Sequence, residues 1–362
     1  MSATPRPRLA SLDALRGFDM LWIVGGRELV AALATWTGWP WLRALEAQLQ
    51  HPEWHGFAAW DLVFPLFLFL AGASFALSLA ARRARGASDA ATARHVVVRA
   101  LLLVALGVLY NLGRGLDVAD VRYASVLGRI GLAWAGAALI ALRWGPRGRL
   151  GWFVGLLLGY QALLLFVPAP GEGAVSLEPG RTVVDWFDRS FLPGRLHRGV
   201  RDPEGWLATL PAVATALAGV WAGEVLRGEP DARRRLARLA LAALGALLAT
   251  WVLARGVPVN KNLWSPAFMT LTAALSLGLL SLFHALFDVR GLGRLALPLR
   301  VIGTNALTAY LLWRFVDFPG AARALTGEAL GPGMRVVAAL LAFGLLWLVL
   351  AGLHHRRWFL RL

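Results

Sequence analysis

The chain contains no cysteine, one lysine and four asparagines among its 362 residues. The absence of cysteine excludes disulfide bonds, thiolate metal sites and a cysteine nucleophile. Lysine and arginine together number 37, so arginine supplies every cation but one. The single lysine, Lys261, stands between Asn260 and Asn262. An ammonium group differs from a guanidinium in shape and in how readily its pKa shifts, which indicates a specific requirement at this position.

Charged residues are also scarce, at 16% of the chain, whereas hydrophobic residues make up 58%. A soluble domain has about 25% charged and 45–50% apolar residues. The apolar residues form long runs, such as 62–81 and 336–353, which have about the length that crosses a bilayer. The sequence therefore predicts an all-α polytopic integral membrane protein, with one transmembrane domain over residues 1–362.

The apolar runs predict ten membrane-spanning helices. Their expected positions are about 15–37, 59–81, 96–112, 124–142, 149–167, 206–226, 236–255, 264–286, 298–316 and 333–353. Four short connections are rich in arginine and are expected on the cytoplasmic side, as are Arg6 and Arg8; these connections are 81–94, 143–149, 227–235 and 354–361. Both termini are then cytoplasmic. The net charge of +16 is explained by these connections and by anionic lipid, so nucleic acid is not expected as a partner.

The remaining connections face the other side of the membrane in this topology: 38–58, 112–123, 168–205, 256–263 and 317–332. Polar residues from five segments then lie at or just inside the outer face. They are His51, His55, Asp61, Asn111, Arg129, Asp202, Glu204, Asn260, Lys261 and Asn262. Polar groups at membrane depth are costly and usually functional, so their convergence predicts a site open to the periplasm or a lumen.

Several motifs resemble the transmembrane acetyltransferases typified by lysosomal heparan-α-glucosaminide N-acetyltransferase. The resemblance follows the chain in order from about residue 8 to its end. The matching stretches are "RLASLDALRGFDML" (8–21), "HPEWHGFAAWDLVFPLFLFLAG" (51–72), "VLGRIGLAW" (126–134), "RDPEGWLATLPAVATALAGVWAG" (201–223), "VPVNKNLWSPAFMT" (257–270) and "IGTNALTAYLL" (302–312). Gly128 replaces the glutamine that is usual in the third stretch. The lysosomal enzyme also has a lumenal segment upstream, and we expect this chain to begin at the core, which makes heparan itself a doubtful acceptor.

The resemblance implies acetyl transfer from cytosolic acetyl-CoA to the amine or hydroxyl of a sugar on the far side of the membrane. His51 matches the catalytic histidine of the family, and imidazole can take a proton or carry an acetyl group. His55 stays open as an alternative, because spacing alone does not separate the two. Asp61 is expected either to orient the imidazole or to cap its own helix. Lys261 is expected either to stabilise the thioester oxyanion or to anchor its segment at the interface.

Acetyl-CoA is the expected co-substrate, and no metal is expected. Substrate or acetyl-CoA binding is assigned to Arg16, Arg129, Asn260, Asn262, Trp264, Ser265, Asn305, Asp202 and Glu204. The expected partners are the lipid bilayer and a carbohydrate or glycolipid acceptor, and a homodimer is allowed for. The expected location is a bacterial inner membrane, with the active site near the periplasmic face. The rival hypothesis is a transporter of a sugar or an acylated lipid.

Overall fold

The computed structural model describes residues 9–113, 120–327 and 331–360. These residues form α-helices and connections, and no β-strand occurs among them apart from one isolated bridge between Arg122 and Gly194. The helices in chain order are α1 (Ala10–Leu21), α2 (Arg27–Thr37), α3 (Pro40–Gln48), α4 (Val63–Ala84), α5 (Asp89–Leu112), α6 (Val126–Arg143), α7 (Pro146–Phe166), α8 (Val183–Phe191), α9 (Thr209–Gly228), α10 (Ala232–Leu253), α11 (Pro266–Phe283), α12 (Leu297–Thr304), α13 (Ala306–Phe315), α14 (Phe318–Thr326) and α15 (Pro332–His355). The predicted all-α membrane fold is confirmed.

Eight helices in the described ranges are long and apolar enough to cross a bilayer. They are α4 with its preceding turn, α5, α6, α7, α9, α10, α11 with its following turn, and α15. Helix α10 has the surface expected of a helix in contact with lipid. Its exposed hydrophobic side chains include Leu241, Leu244, Leu248 and Trp251. Such a surface is stable in contact with lipid and would be an aggregation hazard in water.

Two of the ten predicted spans are interrupted helices. The predicted span 15–37 divides into α1, a π-helical turn at Trp22–Gly26 and α2. Val24 and Gly25 leave helical geometry in this turn, and Gly25 has a φ of 119°, which glycine tolerates because it lacks a Cβ. The predicted span 298–316 divides into α12 and α13 at Asn305. The apolar runs gave the positions of these segments but not their interruptions.

Three short helices, α3, α8 and α14, lie in connections that were predicted without secondary structure. Helix α5 begins at Asp89 rather than at residue 96, because Ser88 caps it by accepting a hydrogen bond from the backbone N–H of Ala91. Arg6 and Arg8 lie outside the described residues, as do parts of the predicted connections 112–123, 317–332 and 354–361. The sidedness of the termini stays a prediction.

The chain forms two compact units. The central bundle comprises the described residues of Gln48–Leu277, and the terminal bundle comprises the described residues of Met1–Ala47 and of Gly278–Arg361. In the central bundle, α4 packs tightly against α9: a Cβ at Gly72 would lie 2.0 Å from the carbonyl oxygen of Ala216. Glycine therefore permits this close helix crossing.

In the terminal bundle, α1 packs against α12 through a second glycine contact. A Cβ at Gly17 would lie 1.8 Å from the carbonyl oxygen of Leu299, and one at Gly303 would lie 1.8 Å from that of Asp13. The N-terminus of α1 is held by Asp288, whose Oδ1 accepts the backbone N–H of Ala10 at 2.8 Å. Close backbone approach is thus the packing mode of both bundles.

Candidate active site

Asp61 is fixed at the start of the α4 span by its own backbone. It lies in the 3₁₀ turn Ala59–Leu62, and its Oδ2 accepts the N–H of Ala58 at 3.1 Å. The Asp61 N–H in turn donates to the carbonyl oxygen of Ala58 at 2.9 Å. Oδ2 therefore caps the turn, whereas Oδ1 contacts residues outside the turn. The side chain is 1% exposed, so its orientation is rigidly determined.

His51 contacts the free oxygen of Asp61. Its Nδ1 lies 2.6 Å from Asp61 Oδ1, and the histidine side chain is 48% exposed. A carboxylate can only accept, so Nδ1 carries the proton and donates to Oδ1. In the neutral imidazole, Nε2 is then the nitrogen that carries a lone pair in the ring plane. A carboxylate and a histidine in this arrangement hold the imidazole in one tautomer and stabilise positive charge that develops on it.

Lys261 completes this cluster from a segment about 200 residues further along the chain. Its Nζ lies 3.1 Å from His51 Nε2, 3.3 Å from His51 Nδ1 and 3.5 Å from Asp61 Oδ1. An ammonium in the ring plane and this near to both nitrogens would overlap Cε1, which lies between them. Nζ therefore lies over the face of the ring, outside the plane that contains the lone pair of Nε2.

The Lys261 ammonium is only 18% exposed, and its surroundings change its proton affinity. Burial lowers the pKa of Lys261, and this effect exceeds the opposing effects of Asp61 and Glu204. Arg129 lowers the pKa of Lys261 further by charge repulsion. A lysine in this setting can donate to a developing oxyanion more readily than an ordinary lysine.

Asn260 and Ser265 build the turn that presents Lys261. Asn260 Oδ1 accepts the N–H of Leu263 at 3.0 Å, and the Asn260 N–H donates to Ser265 Oγ at 3.0 Å. Ser265 Oγ donates to the carbonyl oxygen of Pro258 at 2.8 Å. Short polar side chains that bond to nearby backbone in this way define turns. Asn262 is half-buried in the same turn, next to Lys261.

His55 contacts Asn260 rather than a carboxylate. The distance from Asn260 Nδ2 to His55 Nδ1 is 3.2 Å, and the amide donates to this ring nitrogen. The asparagine amide can hold the tautomer of His55, but it brings no negative charge to stabilise an imidazolium. The two histidines that spacing alone left equivalent therefore differ in their partners, and His51 has the partner suited to acid–base or nucleophilic chemistry.

Trp264 anchors the turn in the core. It is fully buried, and its φ of 48° is unusual for a residue other than glycine. Its indole N–H donates to Thr215 Oγ1 at 3.2 Å, and its ring packs edge-on against Phe64 and Phe268. The phenolic O–H of Tyr160 donates to the carbonyl oxygen of Leu263 at 2.9 Å. These contacts maintain a strained backbone conformation beside Lys261.

Asp202 and Glu204 lie in the loop before α9 and share one partner, Arg122. Arg122 Nε donates to Asp202 Oδ2 at 2.7 Å, and its Nη2 pairs with both carboxylates. Burial opposes ionisation of Asp202, but the hydrogen bonds and charge of Arg122 hold the pKa of this carboxyl below its ordinary value. The sequence did not single out Arg122, because 80 residues separate it from Asp202. Nothing in the sequence next to Arg122, or in the D-P-E-G motif of the loop, indicates that these residues pair.

Arg129 lies in α6 and is 2% exposed, and its charge acts on Lys261. Its Nη2 donates to the carbonyl oxygen of Gly205 at 2.7 Å, and its guanidinium carbon lies 5.3 Å from the centre of the Trp264 ring. The structure thus brings together nine of the predicted residues in the central bundle. They are His51, Asp61, Arg129, Asp202, Glu204, Asn260, Lys261, Trp264 and Ser265.

Arg16 and Asn305 lie in the terminal bundle. Arg16 Nη1 donates to Asp13 Oδ1 at 3.2 Å. Asn305 stands at the break between α12 and α13, and both polar atoms of its side chain are buried without a hydrogen-bond partner among the described residues. Within the described ranges, no group of three or more His, Asp or Glu side chains is arranged to hold a metal ion.

Two curated proteins are similar to this chain, and both are named heparan-α-glucosaminide N-acetyltransferase. The mouse protein is 28% identical over 319 residues, which cover 72% of this chain and 48% of the relative. The human protein is 27% identical over 372 residues, which cover 86% of this chain and 53% of the relative. The chain therefore spans about half the length of the curated relatives that it matches. No protein-family model matches the chain. The similarity confirms the family resemblance that the motifs predicted.

Proposed function

We propose that this chain is a transmembrane acetyltransferase that moves an acetyl group from cytosolic acetyl-CoA to an amine or hydroxyl of a sugar on the periplasmic side. The observation that carries the proposal is the His51–Asp61–Lys261 cluster. It combines an imidazole in a defined tautomer, an ammonium group over its face and access from solvent. The similarity to proteins named for N-acetyl transfer to a glucosaminide supports this reaction.

In this proposal His51 Nε2 attacks the thioester carbonyl carbon or removes the proton of the attacking acceptor. In the first route a bond forms between Nε2 and the carbonyl carbon, the C–S bond breaks, and CoA leaves as a thiolate. The acceptor then attacks the acetyl carbon, the bond to Nε2 breaks, and the proton of the acceptor passes to Nε2. In the second route acceptor and donor react in one complex, and His51 carries the acceptor's proton to the leaving sulfur. In both routes Lys261 stabilises the oxyanion of the tetrahedral intermediate.

Asp61 has the same role in both routes. It keeps the proton on Nδ1 and offsets the positive charge that His51 acquires. Lys261 over the ring face opposes the same positive charge. An acetylated imidazole at this position would thus be a reactive donor, because the neighbouring ammonium makes the acetyl carbon more electrophilic.

Acetyl-CoA binding is proposed for two residues. We infer that Arg16 contacts a CoA phosphate and that Asn305 binds the amide groups of the pantetheine arm. The two buried, unpartnered atoms of Asn305 support this role, because an amide ligand would satisfy a donor and an acceptor together. The homodimer, the bacterial inner membrane and the periplasmic location of the site stay predictions.

The test is mass spectrometry of acceptors after acetyl-CoA with a labelled acetyl group is supplied to vesicles of known sidedness. Transfer is expected when the donor is on the cytoplasmic side and glucosamine-type sugars are on the other. Rapid quenching before acceptor is added separates the two routes, since only the first accumulates acetyl-protein. Absence of labelled sugar in every orientation would refute the proposal.

A transporter remains the second candidate, and one observation favours it. Interrupted helices such as those at Trp22–Gly26 and Asn305 occur in transporters, where they line substrate sites. A flux assay with labelled sugar in the absence of acetyl-CoA distinguishes the two functions. Acetylation without net sugar flux supports the enzyme, and flux without acetylation supports the transporter.

A further inference from the structure

The Arg129 side chain joins two segments of the site that are distant in sequence. Its Nη2 donates to the carbonyl oxygen of Gly205, in the loop that carries Asp202 and Glu204. Its guanidinium covers the face of the Trp264 ring, in the turn that carries Lys261. Arg129 is buried, and its Nε and Nη1 atoms have no hydrogen-bond partner among the described residues. The carboxylates of Glu204, Asp188 and Asp202 also act on its charge. A buried cation whose direct contacts are one carbonyl oxygen and one aromatic ring is nevertheless costly and needs an explanation.

The contact between Arg129 and Trp264 is linked to Lys261 through the backbone. The backbone N–H of Trp264 donates to the carbonyl oxygen of Lys261 at 3.0 Å, so one turn contains both residues. The left-handed backbone conformation of Trp264 is strained, and the contacts of its ring, including that with Arg129, stabilise it. Removal of Arg129 would uncover one face of that ring and would release the turn from Gly205.

The charge of Arg129 also acts on Lys261. The charged and titratable groups facing Lys261 are His51 and Asp61 from the segment before α4, Glu204 from the loop before α9, and Arg129 from α6. Asp61 and Glu204 raise the pKa of Lys261, whereas Arg129 lowers it. Arg129 is the only one of these groups that is always cationic.

We propose that Arg129 is a positioning residue, which holds Lys261 over the His51 ring by joining the Gly205 loop to the Trp264 turn and adds positive charge behind the ammonium. This inference rests on the proposed acetyl transfer. It differs from the sequence-based expectation that Arg129 binds a substrate, because the contacts that carry it, with Trp264 and Gly205, are made within the protein itself.

The experiment compares Arg129→Met, which removes the charge, with Arg129→Lys, which keeps it but loses the planar stacking. The matched control is Arg99→Met, since Arg99 lies over the Trp134 ring at 4.5 Å in the same bundle. Lys261 is the only lysine of the wild type, of Arg129→Met and of Arg99→Met, so reductive methylation with ¹³C-formaldehyde gives one lysine NMR signal, distinct from that of the terminal amine, whose titration reports the pKa of Lys261. Arg129→Lys gives a second lysine signal, and the signal of Lys261 is identified there by its loss in the double variant Arg129→Lys/Lys261→Met. Turnover at saturating acetyl-CoA is measured on the same unlabelled variants.

Arg129→Met is expected to raise the pKa of Lys261 and to lower turnover by about 10- to 100-fold, because a small displacement of a catalytic group has that effect. Arg129→Lys is expected to keep the Lys261 titration near that of the wild type while turnover still falls. Arg99→Met is expected to change neither quantity. If Arg129→Met does not fold, Arg129→Gln, which also removes the charge but keeps a donor for the carbonyl oxygen of Gly205, takes its place with the same expected results.

Wild-type turnover in Arg129→Lys would overturn the positioning role. A fall in turnover of Arg129→Met with an unchanged Lys261 titration would also overturn it, since a merely structural loss predicts that result. Failure of the proposed function itself is recognised separately, because the wild type would then transfer no acetyl group. The Lys261 titration would still report whether Arg129 acts on the ammonium.

Discussion

Lys261→Arg tests whether the site requires an ammonium group rather than any cation. The Nζ atom lies 3.1–3.3 Å from both ring nitrogens of His51 and 3.5 Å from Asp61 Oδ1, in a space closed on most sides. A guanidinium is larger, planar and carried on a longer chain. It would keep the attraction to Asp61 but could not place one compact donor over the ring.

The expected effect of Lys261→Arg is large for turnover and small for stability. Loss of one oxyanion contact costs on the order of 10²–10³ in turnover, or about 2.7–4 kcal/mol of transition-state stabilisation. The charge pair with Asp61 survives, so the unfolding temperature should change by only a few degrees. An interfacial anchor would predict no loss at all, because arginine anchors a helix equally well.

The assay is acetyl transfer by the purified variant at saturating acetyl-CoA, with a thermal melt in the same detergent. Lys261→Met is the companion variant, since it removes the charge and should be both inactive and less stable. An Arg variant that is stable and fully active would refute the catalytic role. A variant that is stable but impaired by two orders of magnitude or more would support it.

Three further predictions follow from other parts of the central bundle and from the topology. Asp61→Asn should lower turnover by on the order of 10³–10⁴-fold, because the amide favours the wrong tautomer of His51. The melting temperature of this variant should stay near that of the wild type. Turnover equal to that of the wild type would remove Asp61 from the mechanism. Burial raises the pKa of Asp188 to about 6, so the folded state binds this proton more tightly than the unfolded chain. Its contribution to stability is therefore complete below about pH 4 and is lost as the pH rises through 6, and Asp188→Asn should flatten the melting temperature over that range. A reporter fused to the C-terminus should read as cytoplasmic, and a periplasmic reading would reverse every statement of sidedness.

The long helices could be predicted because one physical signal, an apolar run of bilayer length, determines them. The breaks at Val24–Gly25 and Asn305 could not, because hydropathy does not register a local change of backbone conformation. The sequence features at these breaks are the Gly25–Gly26 pair and Asn305, which is a lone asparagine in an apolar run. The short helices α3, α8 and α14 were not predicted, because they are much shorter than an apolar run that crosses a bilayer.

The sequence predicted some residues of the site and missed others, because many contacts of the site join segments that are distant along the chain. His51 and Asp61 are only ten residues apart, so one connection brings them together. Lys261 was identified by its rarity and by its motif, and its contact with His51 depends on the packing of distant helices. Arg122 gave no such signal, although it pairs with two of the predicted residues. The turn-building roles of Asn260 and Ser265 likewise become visible only when the backbone conformation is known.

The most direct test of the proposed mechanism is acetyl transfer by His51→Ala beside His55→Ala. His51 has the carboxylate partner and the ammonium over its ring, whereas His55 contacts the amide of Asn260. We expect His51→Ala to lose transfer completely while it keeps the wild-type melting temperature, and His55→Ala to retain most of its turnover. Near-normal transfer by a folded His51→Ala protein would contradict the mechanism, and a reversal of the two results would move the catalytic role to His55.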